Sequence, residues 1–148
     1  MLANKTTLVL VVFGLAGIYM PLLASISRRL LSTMASGNYV AGTHSMAYVT
    51  APNQDVAKKI AGILVKNKLA ACVNIIPNIV SVYEWKEEIN EDPEVLMVIK
   101  TRTSRLEEMT AMVKENHPYE VCEVISSPIA QGNAPYLDWI GEIVPEKK

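Results

Sequence analysis

The chain has 148 residues, 50% of them hydrophobic, with 14 basic and 15 acidic side chains and a mean hydropathy of +0.20. That length suits one domain. The charge balance excludes a polybasic nucleic-acid binder, and the apolar content excludes a disordered chain. A positive hydropathy is unusual for a small soluble domain, and its source becomes visible in chain order.

No Asp or Glu precedes Asp55, and Lys5, Arg28 and Arg29 give residues 1–54 a charge of +3. The remainder, with 11 basic and 15 acidic residues, carries −4. Leu8 to Ala24 is an uncharged apolar run of 17 residues, at the lower limit for a membrane-spanning helix. Gly14, Gly17 and Pro21 weaken it as a helix in water. Residues 1–31 read as a hydrophobic leader with three competing roles. A secretory signal fits Lys5, the apolar run and the small residues Ser25 and Ser27. A signal-anchor fits the same run retained, with Arg28 and Arg29 as its flank. A mitochondrial presequence fits the lack of acids, but the run is too apolar for an amphipathic one. A buried core helix is the plain alternative. The charge flanks balance, so the positive-inside rule gives no orientation.

Residues 32–42 (STMASGNYVAG) read as a linker. Initiation at Met34 within it would remove the leader and leave a cytosolic protein. The full-length form is expected in a membrane or the secretory pathway, touching membrane only through residues 8–24.

The folded body is expected over residues 43–148. His44 to Thr50 reads as a strand, stopped at Ala51-Pro52-Asn53, with Asn53 an N-cap. Val56, Ile60, Ile63, Leu64 and Asn67 have helical spacing, which predicts a helix ending near Leu69. Ala70 to Ile76 suits a buried strand, and Ile79 to Trp85 continues it with period two past Pro77-Asn78. A proline there implies an edge or a bulge. Lys86 to Pro93 reads as a charged turn, and Glu94 to Thr103 as a central strand. Ser104 and Glu107 fit a capping box opening a helix with Leu106, Met109 and Val113, ending near Asn116 and Pro118. Glu120 to Ser126 reads as the last strand. Pro135 to Val144 reads as a short helix packed through Tyr136, Trp139, Ile140 and Ile143.

The order β-α-β-β-α-β plus a terminal helix is the ferredoxin-like split βαβ pattern, an α+β fold. Two helices then cover one sheet face, and something must cover the other. The second strand overshoots a domain of this size. An overhanging arm ending in Tyr83 and Trp85 implies a partner subunit, hence a homo-oligomer.

Chemistry is sparse. Cys72 and Cys122 fall in predicted strands at opposite sheet edges, too far apart for a disulfide within the chain. Buried free thiols or a contact between subunits remain. No CxxC or HxxxH spacing occurs, so a closed zinc site is not expected. A copper or zinc site from His117, Glu120, Cys72 and Cys122 is the sharper reading, against ordinary structural roles. There is no GxSxG, Walker loop or GxGxxG, and no catalytic residue is assigned. Lys100 and Arg102, alternating at the end of the central strand beside Tyr83 and Trp85, suggest a lip for a small acidic ligand, with Tyr119 in the same candidate cleft; a solvated strand end is the plain alternative.

Five blocks then stand together: Leu69-Ala-Ala-Cys-Val-Asn74, Ser81-Val-Tyr-Glu-Trp85, Glu94-Val-Leu-Met-Val-Ile-Lys-Thr101, His117-Pro-Tyr-Glu-Val121 and Tyr136-Leu-Asp-Trp139. In order and spacing they resemble the CutA divalent-cation-tolerance family, across residues 44–144. The leader looks like that of the animal versions. The resemblance implies a trimer joined through extended strands, with Tyr83, Trp85, Tyr136 and Trp139 as contacts. It implies tolerance of copper and other divalent metals, with no required cofactor and no enzymatic reaction. It also implies a link to membrane anchoring of acetylcholinesterase, and a likeness to the PII signalling trimers, which bind small ligands between subunits. Val49 and Asn116 stand where some bacterial members have cysteine and histidine. Glu87 stands where the family has glycine, which implies an altered hairpin turn. Cys122 replaces a common proline or alanine.

Overall fold

The computed structural model describes residues 39–147, so the expected leader, and the linker up to residue 38, lie outside the described residues. The elements are β1 (His44–Ala51), α1 (Gln54–Lys66), β2 (Cys72–Trp85), β3 (Glu88–Arg102), α2 (Leu106–Asn116), β4 (Ile125–Pro128) and α3 (Ala134–Ile143). The four strands form one antiparallel sheet in the order β2-β3-β1-β4, the expected α+β topology with β2 and β4 at its edges.

Helix α1 starts where Asn53 Oδ1 accepts the backbone N–H groups of Asp55 and Val56 at 3.1 and 3.0 Å. It buries Ala57, Ile60 and Leu64 and stops at Lys66, three residues before Leu69. Asn67 caps it, donating from Nδ2 to the Ile63 carbonyl at 2.8 Å, and Lys68 turns the chain at φ 58°. Ala47, Val49 and Ala51 of β1 and Val95, Met97 and Ile99 of β3 meet α1 and the Met109 and Val113 face of α2 in the main core. These strand residues alternate, as one sheet face requires.

Four expectations give way to the structure. The charged run from Glu88 to Pro93 is strand, not turn: Trp85 pairs with Glu88 and Val80 with Pro93. Its side chains are polar because this part of the sheet has no helix over it. Ser104 does not cap α2; it lies within a 3₁₀ turn, Thr103–Arg105, and no side chain caps the helix. The last strand is only Ile125–Pro128, so Cys122 precedes it. Helix α3 packs through Leu137 and Ile140, with Val144 just beyond it, whereas Tyr136 and Trp139 stay outside and face each other at 5.3 Å.

The bulge expected at Pro77-Asn78 is present: pairing jumps from Ile76–Leu96 to Ile79–Glu94, and Asn78 has φ 62°. Beyond it β2 and β3 run on as a two-stranded arm. The arm closes through Lys86 and Glu87, at φ 53° and 67°. Two positive φ values in a two-residue loop make a type I′ turn. Glu87 therefore holds a conformation that favours glycine without being glycine.

Residues 39–42, inside the stretch read as a linker, pack on the body. Tyr39 Oη donates to the Ile129 carbonyl at 3.1 Å and accepts the His44 N–H at 3.1 Å. Its ring stacks on the buried His44 ring at 5.6 Å. Beside them Arg102 donates to the carbonyls of Val144 and Gly141 at 2.8 and 2.9 Å, tying the end of α3 to β3. A Cβ at Gly141 would lie 2.9 Å from Arg102 Nη2, so a side chain there would have to displace the guanidinium.

Two outcomes are expected. Glu87→Gly, which removes the Cβ penalty at positive φ, raises unfolding free energy by about 0.5–1 kcal/mol in urea denaturation. The second concerns His44. Burial, then the Arg102 charge, hold it below its ordinary pKa of 6.5, against an opposing pull from Asp138. The unfolded chain binds a proton there as pH falls below about 6.5, while the folded chain resists. Stability is thus lost on acidification, and His44→Gln loses less of it between about pH 7.5 and 5.5.

Candidate functional site

The arm leaves the sheet beside the segment that follows α2, and a cavity of about 680 Å³ lies between them. Ser81, Tyr83, Trp85 and Glu94 line it from the arm and its base; Pro118 to Glu123 line it from the loop, with Thr50 of β1. Of the residues singled out in the sequence, Tyr83, Trp85, Tyr119, Glu120 and Cys122 meet here.

His117 anchors the loop and is itself buried. Its Nδ1 accepts the Tyr119 N–H at 3.1 Å, so Nε2 carries the proton and donates to the Thr50 carbonyl at 2.9 Å. The Tyr119 ring stands edge-on to the imidazole at 4.9 Å. Both ring nitrogens are engaged, and a metal at either would displace a hydrogen bond.

The expected metal set does not assemble within one subunit. Cys72 lies on β2 beside Tyr136, whose phenol is raised by burial first and then by that thiol. Cys122 lies in the cleft, and both cysteines are free thiols. Among the described residues no three His, Cys, Asp or Glu side chains converge on one point. The donor set therefore does not fit a resident metal centre in one subunit.

Lys100 does not join the cleft either. Its ammonium is held by Asn74 Oδ1, with the Val98 carbonyl at 3.4 Å. The charged groups lining the cavity are Glu94, Glu120 and Glu123. The expected acidic ligand is thus opposed by the sign of the walls.

Glu94 is the residue that sequence reasoning missed. It is only 7% exposed. Ser81 Oγ donates to its Oε2 at 2.6 Å. Farther along the arm Tyr83 Oη donates to Asp92 Oδ2 at 2.6 Å, which raises the Tyr83 pKa. Tyr119 is pushed up to about 12, by burial first and then by the charge of Glu94. In sequence Glu94 is a carboxylate just ahead of the most apolar run of the body, indistinguishable there from a solvated strand end.

Between its charged residues the arm carries open apolar side chains. Val80, Val82, Trp85 and Ile89 are 51–73% exposed. Tyr136 and Trp139 on α3 are also exposed. Among the described residues no helix is long and apolar enough to cross a membrane.

Comparison with known proteins agrees with this geometry. The family model "CutA1 divalent ion tolerance protein" matches residues 45–143. "Protein CutA homolog" of Xenopus laevis is 63% identical over 114 residues, 77% of this chain and 76% of that protein. "Protein CutA" of Homo sapiens is 47% identical over 149 residues, covering 87% and 83%. The crystal structure of CutA1 from Oryza sativa superposes with a TM-score of 0.70 at 45% identity, over 75% of this chain and all of that one. Other matches include a chloroplastic form from Arabidopsis thaliana and a periplasmic one from Archaeoglobus fulgidus.

Removing the hydroxyl of Ser81 leaves a buried carboxylate oxygen without its donor. Ser81→Ala is expected to lower unfolding free energy by about 1.5–3 kcal/mol at neutral pH, read by urea denaturation.

Proposed function

Because the chain belongs to the CutA1 divalent ion tolerance family, we propose that it acts without catalysis, as a homotrimer serving divalent-cation tolerance. The observation that carries the assembly is the arm. Burying one side chain of the size of Val, Ile or Trp contributes about 1.5–3 kcal/mol, and four such groups stand open on a two-stranded ribbon. A ribbon of that kind is marginal alone in water. Packing it, with Tyr83, Tyr136 and Trp139, against neighbouring copies supplies the missing cover.

Copper binding in this reading is weak and incidental. Soft thiols such as Cys122, beside Glu120 and Glu123, suit a transient copper contact better than a permanent centre. Residues 8–24 tether the full-length form to a membrane, where a partner such as acetylcholinesterase would meet it.

A second reading is favoured by the cleft: a trimer of the PII type, sensing a small ligand. An open cleft of about 680 Å³ with aromatic walls and a buried carboxylate is within the size range of ligand sites.

Copper titration calorimetry tests the metal assignment. Wild type and His117→Ala are expected to agree within about threefold in affinity, since the imidazole is already committed. A loss of about tenfold or more in the variant would place the metal on His117 and contradict this reading.

A further inference from the structure

The ring of His44 is buried without a polar partner. The side chain is 4% exposed, and neither Nδ1 nor Nε2 has a hydrogen-bond partner among the described residues. A neutral imidazole carries one donor and one acceptor, so burying it unpaired is costly, and packing alone would favour an apolar ring in its place.

The chain ahead of β1, strand β3 and helix α3 close on this ring. Tyr39 lays its own ring against it at 5.6 Å. Arg102 of β3 brings a positive charge, already committed to the Val144 and Gly141 carbonyls and paired with Glu146 at 3.3 Å. From α3 comes the Gly141 backbone, so close that a Cβ there would lie 3.4 Å from Nε2. Asp138, one turn earlier, acts on the ring through its charge without a hydrogen bond to it. An imidazolium has two N–H donors, and it would find no acceptor here and a guanidinium beside it.

Tyr39 is the wall that yields most easily. Helix α3 is fixed through the buried Leu137, Ile140 and Val144, a cluster that Tyr39 only borders, and Arg102 sits on a paired strand. Residues 39–43 are tied by few bonds: the Tyr39 hydroxyl between the Ile129 carbonyl and the His44 N–H, the Gly42 N–H to Ile129, and the Thr103 hydroxyl to the Gly42 carbonyl. Val40 is exposed.

We propose that His44 is a proton-operated catch at the junction between the folded body and the chain before it: neutral, it holds Tyr39 in place; protonated, it releases residues 39–43 while the sheet and α3 stay folded. Release lengthens the connection to residues 1–38 and opens its backbone to proteases. The sign follows from the closed state. Burial, then Arg102, hold His44 below its ordinary pKa of 6.5, so the closed state binds fewer protons than the released one. Release therefore grows as pH falls through about 6.5.

Hydrogen exchange read by mass spectrometry tests this on the full chain at pH 7.5 and 5.5, with and without urea well below the unfolding transition. The Gly42, Thr43 and His44 amides report on the catch. Their protection factor, which removes the ordinary pH dependence of exchange, is expected to fall several-fold between those pH values. About tenfold is the most that one proton with an ordinary pKa of 6.5 can contribute. The factor is expected to lie below that of β3 and to be insensitive to the urea, as in a local opening. His44→Gln is expected to hold it constant within about twofold across the same pH range. If that variant does not fold, Asp138→Asn on the exposed side of α3 replaces it. Asp138 pulls the His44 pKa up, so its removal is expected to preserve or enlarge the fall. A wild-type factor independent of pH, a fall that persists in His44→Gln, a smaller fall in Asp138→Asn, or exchange that tracks β3 and rises with urea would each overturn the proposal.

Discussion

An apolar ribbon that one subunit cannot bury governs this molecule. Strands β2 and β3 are paired along their whole length, yet the helices reach only the part before the bulge at Pro77-Asn78. Past it, hydrogen bonding continues and packing stops. Val80, Val82, Trp85 and Ile89 are left in water on an arm held by backbone pairing and the side-chain hydrogen bonds of Ser81 and Tyr83. The other open surfaces belong to the same condition. Tyr136 and Trp139 meet at a tilt on the outer side of α3, and β2 and β4 each leave an edge unpaired. Edges and patches of this kind are normally covered, and here each is available for a neighbouring copy.

The cleft exists because the arm departs where the post-α2 loop arrives. His117 does not act as a ligand in this arrangement. It pins the loop to β1 by using one nitrogen on Tyr119 and the other on Thr50. That pin sets Tyr119 against Glu94, and the Ser81 hydrogen bond holds the carboxylate from the arm side. A cleft built this way is preorganised by backbone pairing and one imidazole, with a buried carboxylate at its wall. The same fold occurs in proteins named for chloroplast and periplasm. Such a range of compartments agrees with a scaffold whose local chemistry varies.

Much of this was legible in the residues. The stripe of α1, the apolar run of β3 and the order of elements follow from periodicity alone, and the bulge follows from a proline in a strand pattern. The arm was half seen: Ile79 to Trp85 showed the strand, but Glu88 to Pro93 looked like a turn. Charge and proline mark turns only when strands have a buried face, and this ribbon has none within the subunit. Tyr136 and Trp139 were placed in the packing stripe because aromatic residues at helical spacing suit a core; Leu137, one step round the helix, holds that place instead. Site residues were harder. Lys100 and the aromatics look adjacent along the strands, but the ammonium donates to Asn74 and does not line the cleft. Glu94 passed unnoticed because a carboxylate at a strand start is usually solvated, and only tertiary packing reveals that this one is not.

The central claim is that the fold is complete only as three copies, with the arm buried between them. Light scattering on the purified chain, read against the subunit mass from mass spectrometry of the same sample, tests it most directly. A mass ratio of three for the wild type, collapsing towards one when Trp85→Glu puts a charge on the arm, is the result this account predicts. A wild type that scatters as a folded monomer would contradict it.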